Sequence, residues 1–412
     1  MNIFERLESN VRSYCRSYPT VFDTASNARQ QDVDGHEYID FFGGAGVLNY
    51  GHNNPRMRQA MIDYMLADGV AHSLDFYTLA KQRFMERFEE VILKPRRLEY
   101  KLQFPAPTGT NVVEAALKLA RKITGRPTIV AFSNGFHGMS LGALACTGNA
   151  HFRNAAGVPL DNVYRAPYDG YLGADVDTLA ALERSLEDSS SGVAPPAAFL
   201  VETIQAEGGV NVASREWLQA LQALARKYGS LFIVDDIQVG NGRTGRFFSF
   251  EDYGLDPDLV CLAKGIGGYG TPLGLLLIRP ECDQWQPGEH TGTFRGQDLS
   301  FVAGTVALDY YATDEFLAGV RAKGERVQKR LKKIADAHAD IALRGRGMIY
   351  GLDCGSGKRA AAVVRAAFDA GLLIGSCGTD GRVLKFMSPL TIEDDTLAEG
   401  LDLLESAVSK AA

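Results

Sequence analysis

Residues 231–245 read LFIVDDIQVGNGRTG, and residues 259–270 read LVCLAKGIGGYG. Each stretch opens with four apolar residues, Leu231–Val234 and Leu259–Leu262, and then ends abruptly in charge. The first runs into Asp235 and Asp236, the second into Lys264 within a glycine cluster. Short uninterrupted apolar runs of this kind are buried on both faces, as in a parallel sheet covered by helices. Such sheets place ligands beyond the carboxyl ends of their strands. Asp235 and Lys264 are therefore expected to face one crevice. Gly265, Gly267, Gly268 and Gly270 let the backbone turn tightly there and leave room for a planar group.

An Asp and a Lys in one crevice read most simply as an ion pair. They also suit a pyridoxal phosphate site. In that reading Lys264 forms a Schiff base with the cofactor aldehyde, and Asp235 holds a proton on the pyridine nitrogen, which makes the ring an electron sink. The two residues alone leave both readings open.

Composition narrows the classes. The chain has 412 residues, 46% hydrophobic and 23% charged, with a net charge of −7. That suits a globular chain of more than one domain and gives no basic surface for nucleic acid. Cys15, Cys146, Cys261, Cys282, Cys354 and Cys377 lack CxxC spacing, which argues against both a disulfide framework and a metal site. The first residues, MNIFERLESN, carry charge where a signal peptide would be apolar, and no run reaches membrane-spanning length, so a cytoplasmic location is expected.

The remaining segments read in order. Ile3, Phe4, Leu7 and Val11 fall at helical spacing and predict a helix within Met1–Arg16, packed on the body or on a partner. Asp34-Gly35 predicts a hairpin turn, and Gly43-Gly44-Ala45-Gly46 a close backbone approach. PAPTGTN, residues 105–111, precedes the helical pattern VVEAALKLARKI, with Thr110 as the expected N-cap. A glycine-bearing helix start offers free N–H groups to a phosphate. Thr128–Phe132, Ala198–Glu202 and Leu273–Ile278 predict further buried strands. Ser214 is expected to cap a helix that stops at Gly229.

The segment VDDIQVGNGRTG resembles V-D-E-[VI]-Q-x-G-x-G-R-T-G of the class III aminotransferases. The resemblance runs over essentially the whole chain, with DVDGHEYIDF and GHNNP (residues 32–41 and 51–55), FHG (136–138), TIQAEGG (203–209) and HTGTFRGQDLSF (290–301) in the family order. PAPTGTN, VDDIQ and TGTFRG are most similar to the diaminobutyrate–2-oxoglutarate branch of ectoine-pathway type. Departures from the family pattern are Thr203 for Pro, Ala206 for Gly, Gln297-Asp298 for Asn-Pro, and Lys385 for an Arg that grips a substrate carboxylate. Lys supplies a point charge in place of a bidentate fork.

The resemblance implies an α/β fold of type I. A large domain with a mostly parallel seven-stranded sheet (56–300) joins a small α+β domain built from both ends of the chain (1–55 and 301–412). It implies pyridoxal 5'-phosphate as cofactor, with Lys264 and Asp235 catalytic. Gly109 and Thr110 would hold the phosphate, Phe136 would stack on the ring, His137 and Glu202 would lie around it, and Gln238 would meet its hydroxyl. Thr293 would reach the phosphate of a neighbouring subunit, so a homodimer or larger homo-oligomer is expected. Glu207, Lys385 and Ala45 would meet substrate, with Glu207 pairing to Lys385 when no substrate carboxylate is there. The implied activity is transamination of a terminal amine: the 4-amino group of L-2,4-diaminobutyrate with 2-oxoglutarate, to or from aspartate 4-semialdehyde and glutamate. Ornithine or 4-aminobutyrate as substrate, or an aminomutase, racemase or decarboxylase reaction on the same fold, remain open alternatives.

Overall fold

The computed structural model describes residues 2–411. Its central feature is a seven-stranded sheet. In spatial order the strands are Lys101–Gln103, Leu275–Ile278, Leu259–Leu262, Leu231–Asp235, Ala198–Val201, Ile129–Phe132 and Val163–Ala166. The last five are mutually parallel, and Leu275–Ile278 runs antiparallel to both its neighbours. The Leu231–Asp235 and Leu259–Leu262 strands are buried at every position, as their unbroken apolar runs require. Helices cover both faces. Gly109–Thr124 buries Val112, Val113, Ala116, Leu117 and Ala120 on one side. Arg215–Lys227, capped by Ser214, buries Trp217, Leu218, Leu221 and Leu224 on the other, and Gly229 follows in a left-handed turn.

Two smaller sheets complete the fold. Phe22–Ser26, Arg29–Asp32 and Glu37–Asp40 form a meander turning at Asp34-Gly35, and Leu372–Leu373 joins its edge from the far end of the chain. Ala342–Arg346, Ile349–Asp353, Val383–Phe386 and Gly375–Cys377 form an antiparallel sheet. One core unites Tyr18, Tyr38, Ile39 and Phe41 with residues from Val320 to Val408. The main core runs from Tyr50 to Leu317 and takes in Phe301, Ala307 and Leu308 of the Asp298–Leu308 helix. The two cores meet near Leu317 and Val320, with Phe316 packed against both.

Two local expectations are corrected. The N-terminal helix covers only Ile3–Leu7; a bend and a short turn at Tyr14–Arg16 follow, and Ile3, Phe4, Leu7 and Val11 are exposed. Their spacing is helical, but that face is not packed on the body of this chain, and short helices without tertiary packing do not propagate. Thr110 is not the N-cap: the helix begins at Gly109 with Thr108 in the N-cap position, its hydroxyl donating to Asn111 Oδ1 at 2.7 Å and making no cap bond to the backbone.

Candidate active site

The strand ends converge as parallel topology dictates. Asp235 is the last residue of its strand and lies in register with Cys261. Lys264 follows three residues beyond Cys261, after the adjacent strand has ended. Both line a cavity of about 470 Å³ with Thr108, Gly109, Thr110, Phe136, His137, Glu202, Glu207 and Gln238. A second cavity of about 930 Å³ shares Phe136, Met139, Glu207 and Lys264 with the first and opens past Tyr14, Ala45, His151, Cys377 and Thr379.

Lys264 begins a tight turn in the left-handed region, φ 54°. No hydrogen bond or ion pair engages its amine among the described residues. Burial lowers its pKa to about 8; Glu207 and Asp235 act in the opposite sense and Lys385 in the same one. An amine so placed is a usable nucleophile and base near neutral pH.

Asp235 is 4% exposed. His137 Nδ1 donates to its Oδ2 at 2.7 Å, and the Ile237 N–H donates to Oδ1 at 3.2 Å. Burial alone would lower the His137 pKa, but the bond to Asp235 and the nearby charges of Glu202 and Asp235 outweigh it and raise it. Glu202 accepts the Phe136 N–H at 3.0 Å, and burial pushes its carboxyl up to about 8. The floor of the cavity thus pairs one anionic acceptor, Asp235, with a histidine that holds it in place.

At one side of the cavity, Gly109 and Thr110 present the first N–H groups of a sixteen-residue helix. The Thr110 hydroxyl is otherwise engaged: Oγ1 lies 2.6 Å from Ser140 Oγ, and Ser140 Oγ donates to Glu114 Oε1 at 2.7 Å. The backbone N–H groups are therefore the ready donors here.

At the opposite side, Glu207 forms an ion pair with Lys385, which sits in the Val383–Phe386 strand. Burial favours the neutral form of Glu207, but Lys385 and Lys264 outweigh it and bring the carboxyl down to about 2. Burial likewise disfavours charge on Lys385, and Glu207 outweighs it and raises that pKa. Gln238 Nε2 bridges Glu207 Oε1 at 2.9 Å and the Ala45 carbonyl at 2.7 Å. The Gln238 side chain thus joins the substrate wall as well as facing the cavity. Ala45 holds φ 54° within the run of left-handed residues Gly43-Gly44-Ala45-Gly46; a Cβ on Gly43 would lie 2.4 Å from the Met387 carbonyl oxygen, which explains glycine there.

Every expected site residue except Thr293, Ala45 and Lys385 lines the inner cavity. Ala45 lines the outer one, and Lys385 reaches the site through Glu207. Thr293 lies outside both, in an exposed turn at Thr293–Arg295. Tyr14, Met139 and Cys377 line the cavities without having been singled out. Tyr14 sits at the mouth with its ring 5.1 Å from that of Phe42, in a stretch whose spacing gave no sign of it.

Residues 13–408 match the family described as Aminotransferase class-III. The chain is a class III aminotransferase. It is 54% identical to an uncharacterized aminotransferase of Sinorhizobium fredii over 98% of this chain and 91% of that one. It is 52% identical to a diaminobutyrate–2-oxoglutarate transaminase of Nocardia farcinica over 99% of this chain and 94% of that one. The structure of ornithine aminotransferase from Toxoplasma gondii, which has partial occupancy of pyridoxal phosphate, superposes with a TM-score of 0.84 at 25% identity, covering 99% and 93% of the two chains. The donor set of this aminotransferase fits such a cofactor. A buried amine with no partner among the described residues suits an aldehyde carbon, a buried carboxylate suits a protonated ring nitrogen, and two helix-start N–H groups suit a phosphate.

Proposed function

We propose that this aminotransferase moves the 4-amino group of L-2,4-diaminobutyrate to 2-oxoglutarate, giving aspartate 4-semialdehyde and glutamate, or runs the same reaction in reverse. The observation that carries the reading is the Lys264 amine, buried and without a partner, sharing one cavity with Asp235 and a helix start. Full-length relatives of that name at about half identity support the choice of substrate.

Pyridoxal phosphate, when bound, supplies an electrophilic carbonyl and a ring that stabilises negative charge on the carbon bearing the substrate amine. The chain does the rest. Lys264 Nζ would hold the cofactor and, when free, would serve as the base that takes the proton from the amine-bearing carbon of the substrate. Asp235, held by His137, would favour a protonated ring nitrogen. The Gly109 and Thr110 N–H groups would hold the phosphate, and Phe136 would wall one face. Both substrates use one site in turn, so ping-pong kinetics are expected.

The two substrates differ beside the reacting carbon: glutamate carries a carboxylate there and diaminobutyrate does not. Lys385 serves the first, and Glu207 neutralises Lys385 for the second, which avoids an unpaired buried cation. The closed Glu207–Lys385 pair is the state that suits diaminobutyrate.

A homodimer is part of the same reading. Phe76, Tyr77, Leu66 and Met65 are exposed, and the 72–77 stretch abuts the Thr293 turn: His72 bridges Gln297, and its ring lies 5.3 Å from that of Phe294. An apolar surface adjoining Thr293 suits a second copy, into whose cavity Thr293 would reach. The test is a panel of amino donors and acceptors on purified enzyme, with 2-oxoglutarate consumption measured against amine lost. Loss of amine without 2-oxoglutarate consumption would sink the reading in favour of a mutase or decarboxylase.

A further inference from the structure

Asn241 does not line the cavity, yet it is buried, holds a left-handed backbone (φ 52°) and leaves Oδ1 without a partner among the described residues. A non-glycine residue in this region and an unpaired buried acceptor both cost free energy. They persist only where the surroundings impose them, and they cluster at functional sites. The surroundings here point to the reactive lysine. Asn241 Nδ2 donates to the carbonyl of Ala263, the residue before Lys264, at 3.3 Å; the Ile266 N–H closes on the same carbonyl at 3.3 Å. The Asn241 carbonyl accepts from Asn49 Nδ2 at 2.9 Å and from the Tyr311 hydroxyl at 2.8 Å.

The chain of contacts continues. Arg243 Nη2 donates to Asn49 Oδ1 at 2.5 Å, and Arg243 Nη1 donates to the carbonyls of Ser388 at 2.5 Å and Met348 at 3.1 Å. This guanidinium is fully buried and has no carboxylate partner among the described residues. Gly265 is what lets both asparagines close on the lysine turn. A Cβ there would lie 2.7 Å from Asn49 Nδ2 and 3.2 Å from Asn241 Cβ.

We propose that Asn241 is a positioning residue for Lys264. Its amide grips the Ala263 carbonyl and holds the lysine turn in its left-handed form, so that Nζ is presented to the cavity. Its carbonyl ties that turn, through Asn49 and Arg243, to the Met348 and Ser388 backbone of the small unit. This rests on the reading of Lys264 as the lysine that bonds the cofactor.

The test uses the holoenzyme. Borohydride reduction and peptide mapping first locate the cofactor on the wild-type chain. Asn241→Gly then keeps the left-handed backbone and removes the amide. The expected result is a fall in kcat of about tenfold or more, since a displacement of ~1 Å at a reacting group costs roughly a hundredfold. KM for both substrates should stay within about twofold, as for an interaction that serves the reaction and not binding. The pH midpoint of the lysine-bound cofactor absorbance should move upward as the turn relaxes, with the thermal midpoint little changed. Glu207, Lys385, Asp235 and Glu202 all bear on Lys264 and are unaltered in this variant, so a moved midpoint reports the turn and not a changed charge. An unmoved midpoint overturns the proposal, whether or not kcat falls. Should Asn241→Gly fail to fold, Gly265→Ala, whose Cβ would push Asn49 and Asn241 off the lysine turn, carries the same reading with the same two outcomes. Cofactor attached to another lysine overturns both this proposal and the function above; cofactor on Lys264 with an unmoved midpoint overturns this one alone.

Discussion

Of the three carboxylates that line this cavity, Asp235 and Glu207 each hold a basic partner at hydrogen-bond distance, and the two pairs are built differently. Asp235 and His137 both belong to loops and strand ends of the seven-stranded sheet, and their side chains are 4% and 1% exposed. Glu207 lies in the turn of a separate two-stranded sheet, Ile204–Gln205 with Asn211–Val212, its partner Lys385 comes from the antiparallel sheet of the small unit, and the Glu207 side chain keeps 23% of its surface. A pair within one rigid layer can only be fixed. A pair across two layers, with one arm at an opening, can be parted without disturbing either sheet. The first arrangement suits a cofactor that stays through every turnover, the second a wall that must greet two different substrates.

The comparison can be broken at several points. The largest effect belongs to the group both pairs face: Lys264→Ala should abolish turnover in steady-state assays, losing the covalent cofactor band while retaining some non-covalent binding. Next comes the fixed pair. Asp235→Asn should lower kcat by roughly a thousandfold, the scale of removing one preorganised electrostatic partner, and should slow both half-reactions alike in single-turnover measurements. The adjustable pair should behave asymmetrically. Glu207→Ala should impair the diaminobutyrate half-reaction more, and Lys385→Ala should raise KM for glutamate and 2-oxoglutarate, each by about ten- to a hundredfold, as for a buried charge left unpaired. Equal losses in both half-reactions for each variant would remove the distinction drawn above.

Smaller effects sharpen it. The pKa of Glu207 is depressed from its ordinary 4.5 to about 2. The stability it contributes is therefore whole above the unfolded value and is lost as pH falls from about 4.5 through about 2. Acid unfolding followed by circular dichroism should begin at higher pH in wild type than in Glu207→Gln, measured relative to each protein's stability at pH 7. Outside the cavity, Tyr77→Ser should weaken the proposed homodimer by a few-fold, as surface aromatic contacts of roughly 1 kcal/mol allow, with sedimentation equilibrium as the measure.

Much of this was readable beforehand. Asp235 and Lys264 stood out because charge ends an apolar run only where a strand leaves the core. The Glu207–Lys385 pairing was legible through family resemblance alone, since nothing in the spacing links a loop near residue 207 to a strand near 385. Thr108 and Thr110 flank Gly109 and are equally fit to cap, so chemistry could not choose between them; the structure puts Thr108 in the cap position and caps with neither hydroxyl, Thr108 bonding Asn111 and Thr110 Ser140. Ile3, Phe4, Leu7 and Val11 read as one helical face because spacing says nothing about whether a surface exists to receive it. Asn241 was read only as part of a glycine-rich motif. An asparagine between two glycines does signal left-handed backbone, but its grip on Ala263 is a tertiary fact.

The small unit draws its core from both ends of the chain. The hydroxyl of Tyr18 donates to the carbonyl of Ile374, and Ile39 pairs with Leu372. On a ribosome adding ~5–20 residues per second, the first of these partners waits roughly 20–70 s for the second. During that interval the meander of residues 22–40 has an unpaired edge and an uncovered apolar face, while the seven-stranded sheet between them can already close. The late step is a long-range pairing, the slow kind in chain kinetics. Nascent chains of this protein are therefore at their most vulnerable to chaperone capture and to aggregation at the end that emerges first.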